Sequence, residues 1–94
     1  MSMRWRLLLS RDADRFLIGN KTKIDEEEIF DLIRKSLLKF KGESINVDIK
    51  KLKGEWDGFF RIRKGDLRVI VEFDFENLTA LVEQIDWRGN AYKN

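Results

Sequence analysis

From Leu67 to Phe73 the chain alternates, with Leu67, Val69, Val71 and Phe73 apolar and Arg68 and Glu72 standing between them. A period of two marks a strand with one buried face, because successive side chains of an extended chain point to opposite sides. It predicts a strand over 66–74. Strand-like runs flank it, from Phe59 to Arg63 before the Lys64-Gly65 turn, and from Leu78 to about Asp86 after Phe75-Glu76-Asn77. The three runs predict an antiparallel meander. The last of them, LTALVEQI, alternates poorly. That suits a central strand covered on both faces, or one that carries a bulge.

The N-terminal half has another rhythm. Met3 to Leu9 reads as a strand, and Ser10 is placed to cap a short helix through Ala13, Phe16 and Leu17 that ends at Gly19-Asn20. A second helix starts near Asp25, where Asp25 and Glu28 stand at capping-box spacing and the acidic run meets the positive end of the helix dipole. Ile29, Ile33 and Leu37 then recur every fourth residue beside Phe30 and Phe40, and Gly42 is a natural stop. Leu32 and Leu38 widen this stripe, which favours deep burial over a surface that a partner covers. The acids Asp25 to Glu28 invite a metal-cluster reading. Helix N-terminal acids are far commoner, and no second cluster converges on them. The order strand, two helices, three strands predicts an α+β domain, a single unit over residues 1–94 with both helices on one sheet face.

Composition narrows the chemistry. The 94 residues include no cysteine and no histidine, so there is neither a disulfide framework nor a thiolate zinc site, and the commonest general base is missing. Whatever is catalysed here runs on Arg, Lys, Tyr and carboxylates, and neither metal nor cofactor is expected. No apolar run approaches the roughly 18 residues of a membrane span, and the three-Leu stretch after Trp5 and Arg6 is too short for a signal peptide, which predicts a cytoplasmic protein without a membrane partner. The net charge of +2 is modest for a nucleic-acid binder, and the two halves of the chain are balanced alike. A basic surface must therefore be made by geometry.

The strands supply one. Arg61 and Arg63 are two residues apart and share a face opposite Phe60 and Ile62, while Arg68 points away from the apolar set of its own strand. If the apolar sets line one core, the three arginines gather on the other sheet face. Glu72 can neutralise one of them, and Asp66 or Asp74 a second. Two readings stand here. One is a solvated face laced with salt bridges; the other is a phosphate-binding face, since guanidinium presents planar paired donors that match phosphate oxygens.

The segment LKGEWDGFFRIRKGDLRVIVEFD (52–74), followed by IDWRGNAY (85–92), resembles the RelE family of toxin–antitoxin toxins. The shared features are a Leu-x-Gly turn, a strand with alternating basic residues, a Gly turn, an arginine on the next strand, then Ile-x-x-Arg and a C-terminal tyrosine. The resemblance implies a ribosome-dependent mRNA endonuclease that needs no metal, acting by attack of a ribose 2′-hydroxyl on the adjacent phosphate. Its partners would be a cognate antitoxin, the ribosome and mRNA. It implies catalytic roles for Arg61, Arg63, Arg68, Arg88 and Tyr92, with Lys53, Lys64 and Trp87 as candidate RNA contacts. Some relatives have lysine where this chain has Arg61 and Arg63. Arginine is a poor general base, which leaves Tyr92 first in line for proton transfer, with Lys64 or Lys53 behind it. Trp87 stands where many relatives have histidine, and reads either as a stacking platform or as a core aromatic. Trp56 is either a lid folded on the core or a surface for a partner, and Tyr92 has the plainer alternative of a packing residue in the tail. Two other functions stay open: a ParE-like inhibitor of DNA gyrase that acts by protein binding, and a catalytically silent relative that still binds antitoxin.

Overall fold

Ser10 sits where the first strand gives way to the first helix, and its small polar side chain serves both. In the computed structural model, which describes residues 4–87, β1 (Arg6–Leu9) leads through Ser10 into α1 (Arg11–Gly19). The Ser10 hydroxyl accepts from the Ala13 N–H at 3.1 Å, as an N-cap should. Asp25 caps α2 (Glu26–Phe40) in the same way, accepting from the Glu28 N–H at 3.0 Å. The helix stops where Gly42 takes φ +93°, a left-handed conformation that glycine adopts without strain.

Four further strands follow: β2 (Asp48–Lys51), β3 (Phe60–Lys64), β4 (Leu67–Asp74) and β5 (Thr79–Trp87). The expected meander β3-β4-β5 forms, but as the middle of a larger sheet. The spatial order is β1-β5-β4-β3-β2, with β1 parallel to β5 and every other pairing antiparallel. This corrects the three-stranded meander expected from the pattern: the sheet is mixed and five-stranded. The unforeseen member is β2, a four-residue edge strand with the sequence DIKK. Its lysines suit an edge, where charge discourages pairing with another chain.

Both helices lie on one face. Ala13 and Leu17 of α1 and Ile29, Leu32, Ile33 and Leu37 of α2 pack with Ile62, Leu67, Val69, Val71, Ala80, Val82 and Ile85 of the sheet, all of them buried. Leu32 is thus a core residue as expected, while Leu38 is half-buried. Aromatic rings of Phe40, Phe60 and Phe73 extend this core, with Phe40–Phe60 centroids 5.3 Å apart.

Of the two causes expected for the poor alternation of β5, the bulge is present. The strand is internal, between β1 and β4, and Ile70 pairs with Gln84 while the next residue, Val71, pairs with Val82, leaving Glu83 over. Ser10 fastens to this irregularity. Its hydroxyl donates to the Glu83 carbonyl at 2.6 Å and its N–H to the Val82 carbonyl at 2.9 Å. Ser10→Ala is therefore expected to cost about 1–2 kcal/mol in urea denaturation, since one change removes a helix cap and a latch on the bulge. A loss under about 0.5 kcal/mol, the range of unremarkable surface changes, would show that neither bond matters.

A second, smaller cluster sits on the face away from the helices. Ile70 is fully buried there beneath Leu52, Trp56 and Phe59, which belong to the segment between β2 and β3. That segment turns through a short 3-10 helix, Gly54–Trp56, and is closed by the Leu52 N–H donating to the Phe59 carbonyl at 3.0 Å. Trp56 is thus a half-buried lid, set edge-on to Phe59 at 5.4 Å. The sheet's second face is partly covered, and the arginines lie on what remains.

Candidate functional site

Ile62 settles the orientation of β3. Its side chain is in the helix-side core, so Arg61 and Arg63 project from the other face. Val69 and Val71 do the same for β4, placing Arg68, Ile70 and Glu72 with the arginines. Register then brings the basic residues together: Arg63 pairs directly across from Arg68, and Arg61 from Ile70. Two like charges in direct cross-strand opposition repel. The fold holds them there through the burial of Ile62, Val69 and Val71 on the reverse side.

The acid that meets this group comes from β2. Asp48 lies across from Arg63, and its two carboxylate oxygens take different arginines. Arg61 Nη2 donates to Oδ1 at 3.0 Å, and Arg63 Nε lies 3.1 Å from Oδ2. Glu72, Asp66 and Asp74, the acids anticipated for this role, are exposed, and among the described residues none of them pairs with the arginines. Asp74 closes the β4–β5 turn instead. Hydrogen bonds from the Asn77 side chain, and then from the Asn77 and Glu76 backbone, hold its carboxyl below the usual value of 3.8. The sequence did carry a signal for Asp48, in the spacing of Val47 and Ile49 on either side of it.

Among the described residues, two buried donors in this group have no hydrogen-bond partner: Arg61 Nε and Arg68 Nη1. Arg61 as a whole is only 9% exposed. Leaving a buried donor unsatisfied costs about 1–3 kcal/mol, and more when it is charged. An anionic oxygen brought to this face would satisfy such donors, and the planar guanidinium suits phosphate.

The other candidates separate from this cluster. Lys64, one residue beyond Arg63, falls on the helix side, where its Nζ is 3.9 Å from Glu28 Oε2. Trp87 also faces the helices, packing on Phe16 with centroids 5.4 Å apart and donating from Nε1 to Asn20 Oδ1 at 3.2 Å. Neither shares the arginine face. The strand's alternation explains both placements. Lys53 is exposed at the start of the 3-10 turn, in the segment that covers Ile70. Arg88 and Tyr92 lie outside the described residues.

No protein-family model matches the chain, and no curated protein sequence does. Solved structures do match. A chain of the archaeal RelE–RelB complex from Pyrococcus horikoshii OT3 is 23% identical with a TM-score of 0.55, the match covering 95% of this chain and 100% of that one. A metal-bound toxin from Helicobacter pylori gives a TM-score of 0.64 at 16% identity, covering 94% and 99% of the two chains. A variant of YafQ from E. coli gives 0.59 at 11% identity, covering 89% and 93%. The chain has the fold of RelE-type toxins, over nearly the full length of each.

Proposed function

We propose that the chain is the toxin of a type II toxin–antitoxin pair and cuts mRNA on the ribosome without a metal ion. One observation carries this reading: Arg61, Arg63 and Arg68 share a sheet face, where Asp48 pairs with Arg61 and Arg63, and where Arg61 and Arg68 each keep a buried donor without a partner among the described residues. Such a face is a poor design for stability and a good one for stabilising charge on a phosphate.

The 2′-hydroxyl oxygen of the preceding nucleotide attacks phosphorus as its proton leaves. The bond to the 5′-oxygen of the next nucleotide breaks, and that oxygen takes up a proton. Negative charge grows on the non-bridging oxygens between these events, and arginine N–H groups stabilise it. Arg88 joins them and Tyr92 handles a proton, on the strength of the family resemblance. Lys53 stands behind Tyr92 in that role. Lys64 is withdrawn from it by its place on the helix side.

The partner is a cognate antitoxin, as the Pyrococcus structure is a complex with RelB. The setting is cytoplasmic, where mRNA and ribosomes are; no helix among the described residues is long and apolar enough to cross a membrane.

Primer extension on a defined mRNA, in a reconstituted translation mixture and again without ribosomes, tests the proposal. Ribosome-dependent cuts within codons are the expected result. If neither mixture shows cleavage by a protein that still arrests growth, the endonuclease reading fails and a protein target such as gyrase replaces it.

A further inference from the structure

Asp48 stands apart from the other carboxylates of the sheet. It is on the edge strand β2, whose single strand neighbour is β3, and its position opposite Arg63 puts both Arg63 and Arg61 within reach. The contact with Arg61 is a hydrogen bond from Nη2, and that with Arg63 is an ion pair at its Nε, 3.1 Å from the second carboxylate oxygen. A guanidinium is rigid and planar, so anchoring one N–H sets the plane of the group and the directions of its remaining donors.

We infer that Asp48 is a positioning residue for the phosphate-binding face: by holding Arg61 through Oδ1 and Arg63 through Oδ2, it aims their free donors at a common anion. This rests on reading that face as the RNA-cleaving site. The carboxylate touches no reacting atom; it acts through the two arginines.

The inference has a signature that other roles for Asp48 lack. A negative charge beside a phosphate site opposes anion binding, while fixed donor geometry favours the transition state. Removing Asp48 therefore moves affinity and rate in opposite directions. Were Asp48 simply a competitor for the arginines, its removal would raise both. Were it simply a stabilising ion pair, its removal would lower the melting temperature and leave the folded protein's rate and affinity unchanged.

Asp48→Asn and Asp48→Glu are the variants to measure. The amide keeps the shape but presents a donor where one arginine needs an acceptor; the glutamate keeps the charge. In single-turnover cleavage on programmed ribosomes, Asp48→Asn is expected to lower the maximal rate by about tenfold or more, the scale of a small misplacement of catalytic groups. Its half-saturating concentration should fall, and Asp48→Glu should restore part of the rate. In parallel, the Arg61 Nη–H signals in nitrogen–proton NMR spectra should be protected from exchange in wild type and lose that protection in Asp48→Asn. An unchanged rate in Asp48→Asn beside an active wild type overturns the positioning role. A wild type that cleaves nothing overturns the endonuclease reading instead, and the Arg61 signals then decide the clamp: protection that survives Asp48→Asn refutes it.

Discussion

Arg68→Ala is expected to lower ribosome-dependent mRNA cleavage by about 10²–10³-fold, the usual loss when one donor to a developing oxyanion is removed. The same change should leave stability within about 1 kcal/mol of wild type, as for a substitution away from core, cap or satisfied network. The two halves of this expectation have one structural cause. Arg68 Nη1 is buried without a hydrogen-bond partner among the described residues, and Arg63 stands directly across from it on β3 with Asp86 across from it on β5. Deleting the side chain removes an unsatisfied charged donor and a like-charge opposition, both of which disfavour the folded state. The loss of packing by its aliphatic stem, and of the opposite charge that Asp86 sets across from it, opposes that gain. Single-turnover cleavage and thermal melting of the same preparation provide the check. An inactive variant that melts cooperatively near the wild-type temperature supports the functional reading of Arg68. Loss of cooperative melting would make Arg68 a structural residue and remove it from the site.

Much of this arrangement was legible in the residues, because it depends on short-range rules. Ser10, Asp25 and Gly42 punctuate the helices where their side chains, or the lack of one, predict. The alternation of β4 and the two-residue spacing of Arg61 and Arg63 assign them to opposite layers of the sheet without any knowledge of the fold. What stayed hidden depends on pairing. β2 has two apolar residues near it, Val47 and Ile49, set among charges, and it becomes a strand because β3 offers it an edge. Asp48 was hidden with it, so the charge partner of the arginines was sought among Glu72, Asp66 and Asp74. Ile70, outside the alternating apolar set of β4, faces the arginine side and draws Leu52, Trp56 and Phe59 over itself. That cover depends on where the segment between two strands folds, which no periodicity encodes. The candidates Lys64 and Trp87 follow the resemblance in sequence but take the helix side, since alternation sends neighbours of Arg63 and Asp86 to the opposite face.

Ile62→Ala tests the other side of the same strand. Ile62 is fully buried, between Arg61 and Arg63 in sequence and between Ile49 and Val69 in the sheet. Val69 has no exposed surface either, and the sheet's pairings on both sides restrict its movement, so the space left by the truncated side chain closes poorly. The expected loss is about 2–5 kcal/mol, as for other buried Ile-to-Ala changes. Against a total of about 5–15 kcal/mol for a domain of ordinary stability, that is a large share. The melting temperature should fall by about 10 °C or more, given a shift of roughly 4–8 °C per kcal/mol at this size. Well below that temperature, cleavage per folded molecule should stay within a few-fold of wild type. Arg61 and Arg63 are held from their own face by Asp48, and the register that sets them persists while the sheet is formed. Arg68→Ala and Ile62→Ala should thus separate in opposite senses, one losing activity and keeping stability, the other losing stability and keeping activity while folded. If Ile62→Ala also lost its activity at temperatures where it is fully folded, the arginines would owe their geometry to core packing more than to Asp48, and the two faces of β3 would not be independent.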